Sequence, residues 1–317
     1  MNRAHVHLSA VLLLGAFLAC VASGTSAARR PRAVCSQTLT SGSIERFVNS
    51  LAPGQKGCLK GAFTQDVEIR RRRVTLRSAP GTRAYVCGEI VVDDSADDVT
   101  LRGLRIDGSC SSANTIYLRG ERTRIEYNNI TNRHKGQSCI LVGQEPAGWQ
   151  ADNVTIRHNS IHGCGVDATR DQGIYLLRTT GTVIADNVIY DISAFAMQFW
   201  GDVRNSTFAH NVTDGGPATH RGGLIVGADE RPLPRGNLVA DNIISYTAGV
   251  AVEGWGGSGN VVRGNCLWKN EDGSFRGSGF SQTNNIVVRR SPFVNRNAHD
   301  YRLRRGSRCA GKGPRPK

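Results

Sequence analysis

The segment VTIRHNSI at residues 154–161 recurs along the chain and decides the fold. Each copy has a short alternating apolar run, then an asparagine, then another apolar position. The asparagines step by 30, 28, 24, 31 and 23 residues and are Asn129, Asn159, Asn187, Asn211, Asn242 and Asn265. Alternation indicates a strand with one buried face, and asparagine tolerates the left-handed backbone of a tight bend. The repeat therefore predicts a strand, a one-residue corner and a second strand, with the asparagine amides bonded to each other from coil to coil.

A second set of short apolar strands precedes the asparagine segments. Its members are TIYLR (115–119), CILVG (139–143), GIYLL (173–177), AMQFW (196–200), GLIVG (223–227) and VAVEG (250–254). Three strands per repeat and glycine-rich corners predict an all-β right-handed parallel β-helix of about eight or nine coils. The alternative is a β-sandwich or propeller, which needs regular hairpin turns. Only Asp107-Gly108, Asp214-Gly215 and Asp272-Gly273 offer such turns, and they are too sparse.

The 317 residues divide by composition into four segments. An apolar run at 11–22 follows Arg3 and precedes small residues, which predicts a signal peptide at 1–27 and a secreted protein. The run is too short to span a bilayer, so no transmembrane segment is expected, and a lipid anchor at Cys20 is the minor alternative. We assign a cap to 28–60, with a short helix in SIERFVNSL (43–51), the β-helix to 61–311 and a flexible basic tail to 312–317.

The formal net charge is +14, and removal of 1–27 takes away Arg3 alone and leaves 39 minus 26, or +13. Such a field attracts polyanions. The alternative is that the positive charge reflects the general amino-acid usage of the organism and not a binding partner. Arginine strongly predominates, since only six of the 40 basic residues are lysine. The densest run, Arg70 to Arg73, lies in a strand-like segment and is interpreted as solvated surface, so no nucleic-acid partner is expected.

Eight cysteines remain after Cys20, in a setting that favours disulfides. Three separations, of 23, 23 and 25 residues, match the repeat, and neighbouring coils are close enough for a disulfide. We predict three links between coils and a fourth that holds the C-terminal segment. The pairs are Cys35 with Cys58, Cys87 with Cys110, Cys139 with Cys164, and Cys266 with Cys309. Zinc is the competing interpretation, but the chain has no close Cys-x-x-Cys or His-x-x-x-His pair.

From about Cys35 to Gly311 the chain resembles the secreted right-handed parallel β-helix repeat proteins of actinobacteria. The resemblance rests on GCLKGAF (57–63), Ile161-His162-Gly163-Cys164-Gly165, the Asp171, Gly173, Ile174 and Tyr175 positions, Gln198, GNC (264–266) and SRC (307–309). Gln172 stands where that family often has histidine. The resemblance implies the fold; relatives on this fold commonly act on polysaccharides as lyases, epimerases or hydrolases, which is an analogy.

Outward side chains of the second strand set should form a groove along the solenoid. With Ile174 and Leu176 inward, Tyr175 faces outward, and the same register turns Tyr117, Arg119, Gln198, Trp200 and Glu253 outward. The incoming turns add His134, Lys135, His162, Asp167 and Asp171 to one rim. Aromatic and polar residues on adjacent coils suit sugar rings, so we expect a polysaccharide partner, with an acidic polysaccharide as one option, and a monomeric protein.

A lyase acting on a uronan must neutralise the carboxylate, remove the proton at C5 and protonate the leaving oxygen. We expect Lys135 or a nearby arginine to neutralise, His162 to act as base, Tyr175 as acid and Asp171 to orient the histidine or hold a cation. Lys135, Arg119, Gln198, Trp200 and Glu253 are the expected substrate contacts. The alternative is that His162 and Asp171 hold a corner between coils by hydrogen bonds and that Tyr175 is ordinary surface.

Other functions stay open on the same fold. A hydrolase would need two carboxylates facing one groove, for which Asp171, Asp202 and Glu253 are candidates. The sequence shows no clear trio of aspartates for calcium on successive strands, so no cofactor is expected, and calcium is the alternative. A uronan epimerase, or a non-catalytic solenoid that binds glycan or serves as a surface structure, are the further alternatives.

Overall fold

The computed structural model describes residues 34–144, 148–215 and 223–316, and within them the chain forms 30 short strands and one α-helix. Strands β1 to β10 are Gln37–Leu39, Lys56–Leu59, Ala62–Thr64, Val67–Ile69, Thr75–Ser78, Tyr85–Cys87, Ile90–Val92, Thr100–Arg102, Arg105–Asp107 and Ile116–Leu118. Strands β11 to β20 are Arg124–Glu126, Asn129–Thr131, Ile140–Val142, Thr155–Arg157, Ser160–Cys164, Ile174–Thr180, Val183–Ala185, Val188–Ile192, Met197–Arg204 and Thr207–Ala209. Strands β21 to β30 are Val212–Asp214, Leu224–Gly227, Leu238–Ala240, Ile243–Ser245, Val252–Arg263, Cys266–Trp268, Phe275–Thr283, Ile286–Val288, Phe293–Asn295 and Asp300–Leu303. Two single-turn 3-10 helices lie at Gly108–Cys110 and Arg296–Ala298.

Strands β1 to β28 pair in parallel with their equivalents on the neighbouring coils and form three sheets along the solenoid. Sheet 1 contains β4, β7, β10, β13, β16, β19, β22 and the first halves of β25 and β27. Sheet 2 contains β1, β2, β5, β8, β11, β14, β17, β20, β23 and the second halves of β25 and β27. Sheet 3 contains β3, β6, β9, β12, β15, β18, β21, β24, β26 and β28. The predicted parallel β-helix is confirmed, with about ten turns instead of eight or nine.

The core runs along the axis as columns of inward aliphatic side chains. On sheet 1, Ile90, Ile116, Ile140, Ile174, Met197, Leu224 and Val252 are aligned from coil to coil, and each is fully buried. One hydrophobic cluster extends from Ile44 to Leu267. Complete burial of such a side chain contributes about 1.5–3 kcal/mol, so each coil is held by its neighbours above and below.

The asparagine column exists, but its first member is Asn128 and not Asn129. The column is Asn128, Asn159, Asn187, Asn211, Asn242, Asn265 and Asn285, and each side-chain amide before the last donates to the next carboxamide oxygen over 2.9–3.2 Å. The left-handed residue of the corner is not the asparagine, as predicted, but the residue directly before it. Examples are His158, Asp186 and Asp241, which have φ angles of 54–58°. The asparagine satisfies the buried polar groups of the bend, while the residue before it makes the turn.

All four predicted disulfides are present, with Cα–Cα distances of 5.5–5.6 Å. Cys35 with Cys58 and Cys87 with Cys110 join neighbouring coils near the N-terminal end. Cys139 with Cys164 joins the next pair, and Cys266 with Cys309 holds the C-terminal segment against the last coils.

Both ends of the solenoid are covered. Helix α1 (Ile44–Ser50) begins after Ser43, whose hydroxyl accepts the Arg46 N–H at 3.2 Å, and it buries Ile44 and Val48. At the other end the antiparallel pair β29–β30 packs Phe293 and Tyr301 against strands of sheet 3.

The C-terminal residues expected to form a flexible tail instead make contacts with the solenoid. Lys312 Nζ lies 2.6 Å from Asp241, and Arg315 makes two bonds of 2.7 and 3.0 Å to the nearly buried Asp186. The basic side chains of the tail match acidic corners on successive coils, so charge pairing holds residues 312–315 in place.

The predicted signal peptide and Cys20 lie outside the described residues. In the described ranges, no helix has the length and apolar character that crossing a bilayer requires.

Candidate functional site

The outward side chains of sheet 1 form one column along the solenoid. The parallel register aligns Val91, Tyr117, Leu141, Tyr175, Gln198, Ile225 and Glu253. Much of this column is covered, since Tyr117, Leu141, Gln198 and Ile225 are each 7% exposed or less. Tyr175 and Glu253 are half-buried and remain accessible.

An unpaired carboxyl group lies at the N-terminal part of this column. Gly88 precedes β7 with a φ of 141°, and a Cβ at this position would lie 2.3 Å from the Gln65 carbonyl oxygen. Glu89 follows, and its backbone N–H donates to Asp66 at 2.7 Å. Asp66 and Glu89 occupy the same position in successive coils, directly before β4 and β7. Within the described ranges, the Glu89 carboxyl forms no hydrogen bond or ion pair.

The environment raises the pKa of Glu89 to about 7. Burial is the main cause, the negative charge of Asp66 adds to it, and the positive charge of Arg119 opposes it. A half-buried carboxyl with this pKa exchanges protons near neutral pH, which is the property required of a general acid–base group.

Arg119 packs between two aromatic rings, and its positive charge acts on the carboxyl groups of both Glu89 and Asp93. Its guanidinium carbon is 3.9 Å from the Trp149 ring centroid and 4.5 Å from that of Tyr117. Its Nε is buried without a hydrogen-bond partner in the described part of the chain. A guanidinium stacked on a ring keeps its in-plane donors available for a carboxylate.

We refer to Glu89, Arg119, Tyr117 and Trp149 as the Glu89 cluster. Tyr117 is its most buried aromatic residue. Its ring packs edge-on against Trp149 with centroids 5.9 Å apart, and its hydroxyl donates to Oε1 of Gln144. Burial raises the pKa of Tyr117 to about 12, so it keeps its proton at neutral pH. Because it is only 6% exposed, Tyr117 positions Arg119 and does not itself present a surface to a ligand.

The predicted catalytic residues His162, Asp171 and Tyr175 occupy three different places on one coil. His162 lies on sheet 3, where its ring stacks on Tyr190 at 4.9 Å and its Nε2 is 3.2 Å from the Asn129 amide. Asp171 lies in the turn before β16 and accepts the N–H groups of residues 166 and 167 at 2.9 and 2.7 Å.

Tyr175 alone of the three lies on sheet 1. Burial and the nearby Asp229 raise its pKa to about 12. His162 and Tyr175 therefore belong to different sheets. The Asp171 carboxylate already accepts two hydrogen bonds from backbone N–H groups of its own turn. Catalysis by these three residues stays a prediction that this arrangement does not support as one centre.

The predicted substrate contacts are also dispersed. Only Arg119 belongs to the Glu89 cluster. Gln198 is buried and accepts from Gln172 at 2.6 Å, and Glu253 accepts from Arg276 at 3.0 Å. Trp200 packs on Trp255 at 5.5 Å, on a later coil. Lys135 is exposed in the turn between β12 and β13.

Sequence reasoning missed Glu89, Asp66 and Trp149. A signal for the first two was present, because DVEI (66–69) and EIVV (89–92) each place an acidic residue directly before an aligned strand. Trp149 had no such signal, since its approach to Arg119 depends on the course of the loop after β13.

Across the described ranges, no group of three or more histidine, cysteine, aspartate or glutamate residues could hold a metal ion.

Comparison with known proteins agrees with this architecture. The sequence signature of the family described as "Right handed beta helix region" matches residues 88–225. A pectate lyase, Pel9A, superposes with a TM-score of 0.60 at 9% identity, over 90% of this chain and 93% of that one. An alginate lyase from Paenibacillus sp. str. FPU-7 superposes with a TM-score of 0.56 at 13% identity, over 78% of this chain and 99% of that one. No curated protein matches the sequence. The strand topology, the matched region and these superpositions together show that the chain has a right-handed parallel β-helix fold.

Proposed function

We propose that this protein is a carbohydrate-active enzyme that cleaves an acidic polysaccharide by β-elimination at the Glu89–Arg119 cluster. The observation that carries the proposal is the half-buried Glu89 carboxyl, which has no partner among the described residues and has its pKa raised to about 7, together with Arg119, which acts on it electrostatically and forms no ion pair among the same residues. The similarity in fold to an alginate lyase and a pectate lyase is consistent with this substrate class, and so is the net positive charge of the chain.

Substrate recognition is assigned to Arg119 and Trp149. The carboxylate of a uronic acid residue pairs with the guanidinium, and the Trp149 ring offers an apolar face to the sugar. Pairing with Arg119 withdraws charge from the carboxylate and makes the proton at C5 more acidic. Tyr117 and Gln144 hold the arginine side of the cluster in place.

Glu89 moves the proton. In its ionised form it takes the proton from C5, the electrons form the C4–C5 double bond, and the bond from C4 to the bridging oxygen breaks. The protonated carboxyl then gives the same proton to the leaving oxygen, so the reaction balances without another reactant. A pKa near the working pH allows one group to perform both transfers.

The test is an incubation of the purified protein with a panel of uronic acid polymers and neutral polysaccharides. We expect the absorbance band of an unsaturated uronate to grow with one acidic polymer. Glu89→Gln should lower kcat by about 10²–10⁴-fold, as expected for loss of a general base. Arg119→Lys should mainly raise KM, because lysine lacks the bidentate, stacking geometry. The exposed Glu271→Gln serves as the charge-matched control.

The alternatives give different results in the same assay. New reducing ends without the absorbance band indicate a hydrolase, and an altered uronate configuration without cleavage indicates an epimerase. Binding without any product indicates a glycan-binding or structural solenoid. If Glu89→Gln keeps full turnover while His162→Ala, Asp171→Ala or Tyr175→Phe loses it, the residues predicted from sequence form the site instead.

A further inference from the structure

A cavity of about 830 Å³ lies at the C-terminal end of the solenoid, away from the Glu89 cluster. It is formed by the turn that follows β28 and the turn that follows β30. Five arginines line it: Arg289, Arg290, Arg304, Arg305 and Arg308. The remaining lining residues are Val287, Val288, Ser291, Pro292, Gly306 and Ser307, so none of them is acidic.

The arginines of this cavity differ from the others in the same C-terminal segment. Arg296, Arg302 and Arg315 each form an ion pair with an aspartate at 2.6–2.9 Å. In contrast, Arg289, Arg290, Arg305 and Arg308 have no ion pair or side-chain hydrogen bond within the described ranges, and Arg304 donates to the Ser291 carbonyl oxygen. Four exposed guanidinium groups gathered without a counter-charge repel each other and favour an anion between them.

The two turns that carry these arginines are held at a fixed separation. The Arg304 N–H donates to the Pro292 carbonyl oxygen at 2.9 Å, and the Ser307 N–H donates to the Arg304 carbonyl oxygen at 3.0 Å. The disulfide between Cys266 and Cys309 anchors the second turn to β26. A site that is positioned before binding loses less conformational entropy when a ligand arrives.

The lining indicates the class of anion. Guanidinium forks match carboxylate and sulfate groups in a bidentate manner. Single-stranded nucleic acid needs aromatic side chains for stacking, and this cavity has none. We propose that the arginine cavity is a non-catalytic binding site for a polysaccharide that carries several carboxylate or sulfate groups.

This site is independent of elimination at Glu89, because it requires binding alone. It gives the protein a second point of attachment, and two linked attachment points on one polymer raise the overall affinity without any new contact at the first.

The experiment measures binding of the full-length protein to a polyuronate and to a sulfated polysaccharide by calorimetry at several salt concentrations. The variant combines Arg289→Gln, Arg290→Gln, Arg305→Gln and Arg308→Gln. These side chains are all exposed, so we expect the fold to persist, and circular dichroism and thermal unfolding check this. We expect the Kd to rise at least about tenfold and to depend less steeply on salt, as charge-assisted contacts are lost.

The control removes the same kind of charge elsewhere. Arg46 is exposed on helix α1, at the opposite end of the solenoid, and a variant with Arg46→Gln, Arg72→Gln, Arg83→Gln and Arg263→Gln carries the same net charge as the cavity variant. If this control loses as much affinity, the effect is one of total charge and the proposal is wrong. Tighter binding of single-stranded DNA than of a polysaccharide with equal charge also overturns it.

Failure of this proposal can be distinguished from failure of the proposed function. Turnover of a short oligosaccharide, which cannot reach both sites, should be unchanged in the cavity variant. Conversely, the Glu89→Gln variant should retain the affinity of the cavity for the sulfated polymer even if no polysaccharide is ever cleaved.

Discussion

The side-chain amide of Asn187 donates to Oδ1 of Asn211 over 3.0 Å, and its own Oδ1 accepts from Asn159 over the same distance. Asn187 is fully buried, and its amide also reaches the carbonyl oxygens of Ile156 and Ala185. One side chain therefore satisfies polar groups of the coils on both sides of its own.

We expect Asn187→Ala to destabilise the protein by roughly 2–4 kcal/mol, because the change leaves several buried donors and acceptors without partners. Chemical denaturation followed by circular dichroism measures the loss. Asn297→Ala, at an exposed position, is the matched control and should change stability by less than about 0.5 kcal/mol. Equal stability of the two variants would show that the column contributes little.

The raised pKa of Glu89 predicts the pH dependence of catalysis. Since the ionised carboxyl takes the proton, kcat/KM should rise with pH through about 7, and this limb should disappear in Glu89→Gln. An unaltered acidic limb in that variant would assign the titration to another group.

The raised pKa of Glu89 also predicts how the stability of the protein changes with pH. The folded-state pKa of Glu89 lies above its unfolded value, so the stability that its protonated form contributes is present at low pH and is lost as pH rises through about 7. Glu89→Gln, which cannot ionise, should therefore have a higher Tm than the unsubstituted protein above that pH, and a similar Tm below the ordinary glutamate pKa. A lower Tm at alkaline pH would contradict this.

The ion pair of His134 and Asp191 predicts a second pH dependence of the stability of the protein. His134 Nε2 lies 3.2 Å from Asp191, and the hydrogen bond with that carboxylate raises the pKa of His134. The stability from this pair is full below the unfolded histidine pKa of about 6.5 and is lost as pH rises through the raised value.

We expect His134→Gln to lower the Tm at acidic pH and to change it less at alkaline pH. Asp191 also experiences the charges of His162 and His299, so the comparison is made as the difference between the variant and the unsubstituted protein at each pH. A difference that does not vary with pH would exclude titration of His134 as the cause.

The pair between Arg315 and Asp186 predicts that the C-terminal residues stabilise the solenoid. Asp186 is nearly buried, and Arg315→Ala removes both of its guanidinium contacts. We expect a loss of about 1 kcal/mol, moderated by the exposure of the arginine. Thermal unfolding measures it, with Arg83→Ala at an exposed position as the control, and salt should diminish the difference. An unchanged Tm would show that the contact contributes no stability.

The fold and the disulfides could be predicted because both depend on the repeat itself. Strands separated by one period lie on adjacent coils, so spacing in the sequence translates directly into distance in space. The position of the corner could not be read to the residue, since Asn128 and Asn129 are neighbours in the sequence and only the strand register distinguishes them.

The site was less predictable than the fold, because strand alternation does not show which sheet a residue joins. The sequence correctly aligned Tyr117 with Tyr175 and Gln198 in one outward column, but it placed His162 on the rim of the same groove, although that residue lies on sheet 3. Alternation within a strand tells inside from outside, yet it does not tell which of three outward faces a residue joins after a turn of variable length.

The sequence by itself determined the solenoid, its core columns and its covalent links, because each of these is repeated at one period and needs only neighbouring coils. Among the residues that the structure describes, the tertiary structure alone decided which carboxyl near Arg119 has no partner, which cavity arginines have no aspartate partner and which outward side chains are buried. Those properties depend on which side chains of different coils and turns come close together in space. Asp66 and Arg119 act on Glu89 from the neighbouring coils, and the turns after β28 and β30 bring the arginines of the cavity together.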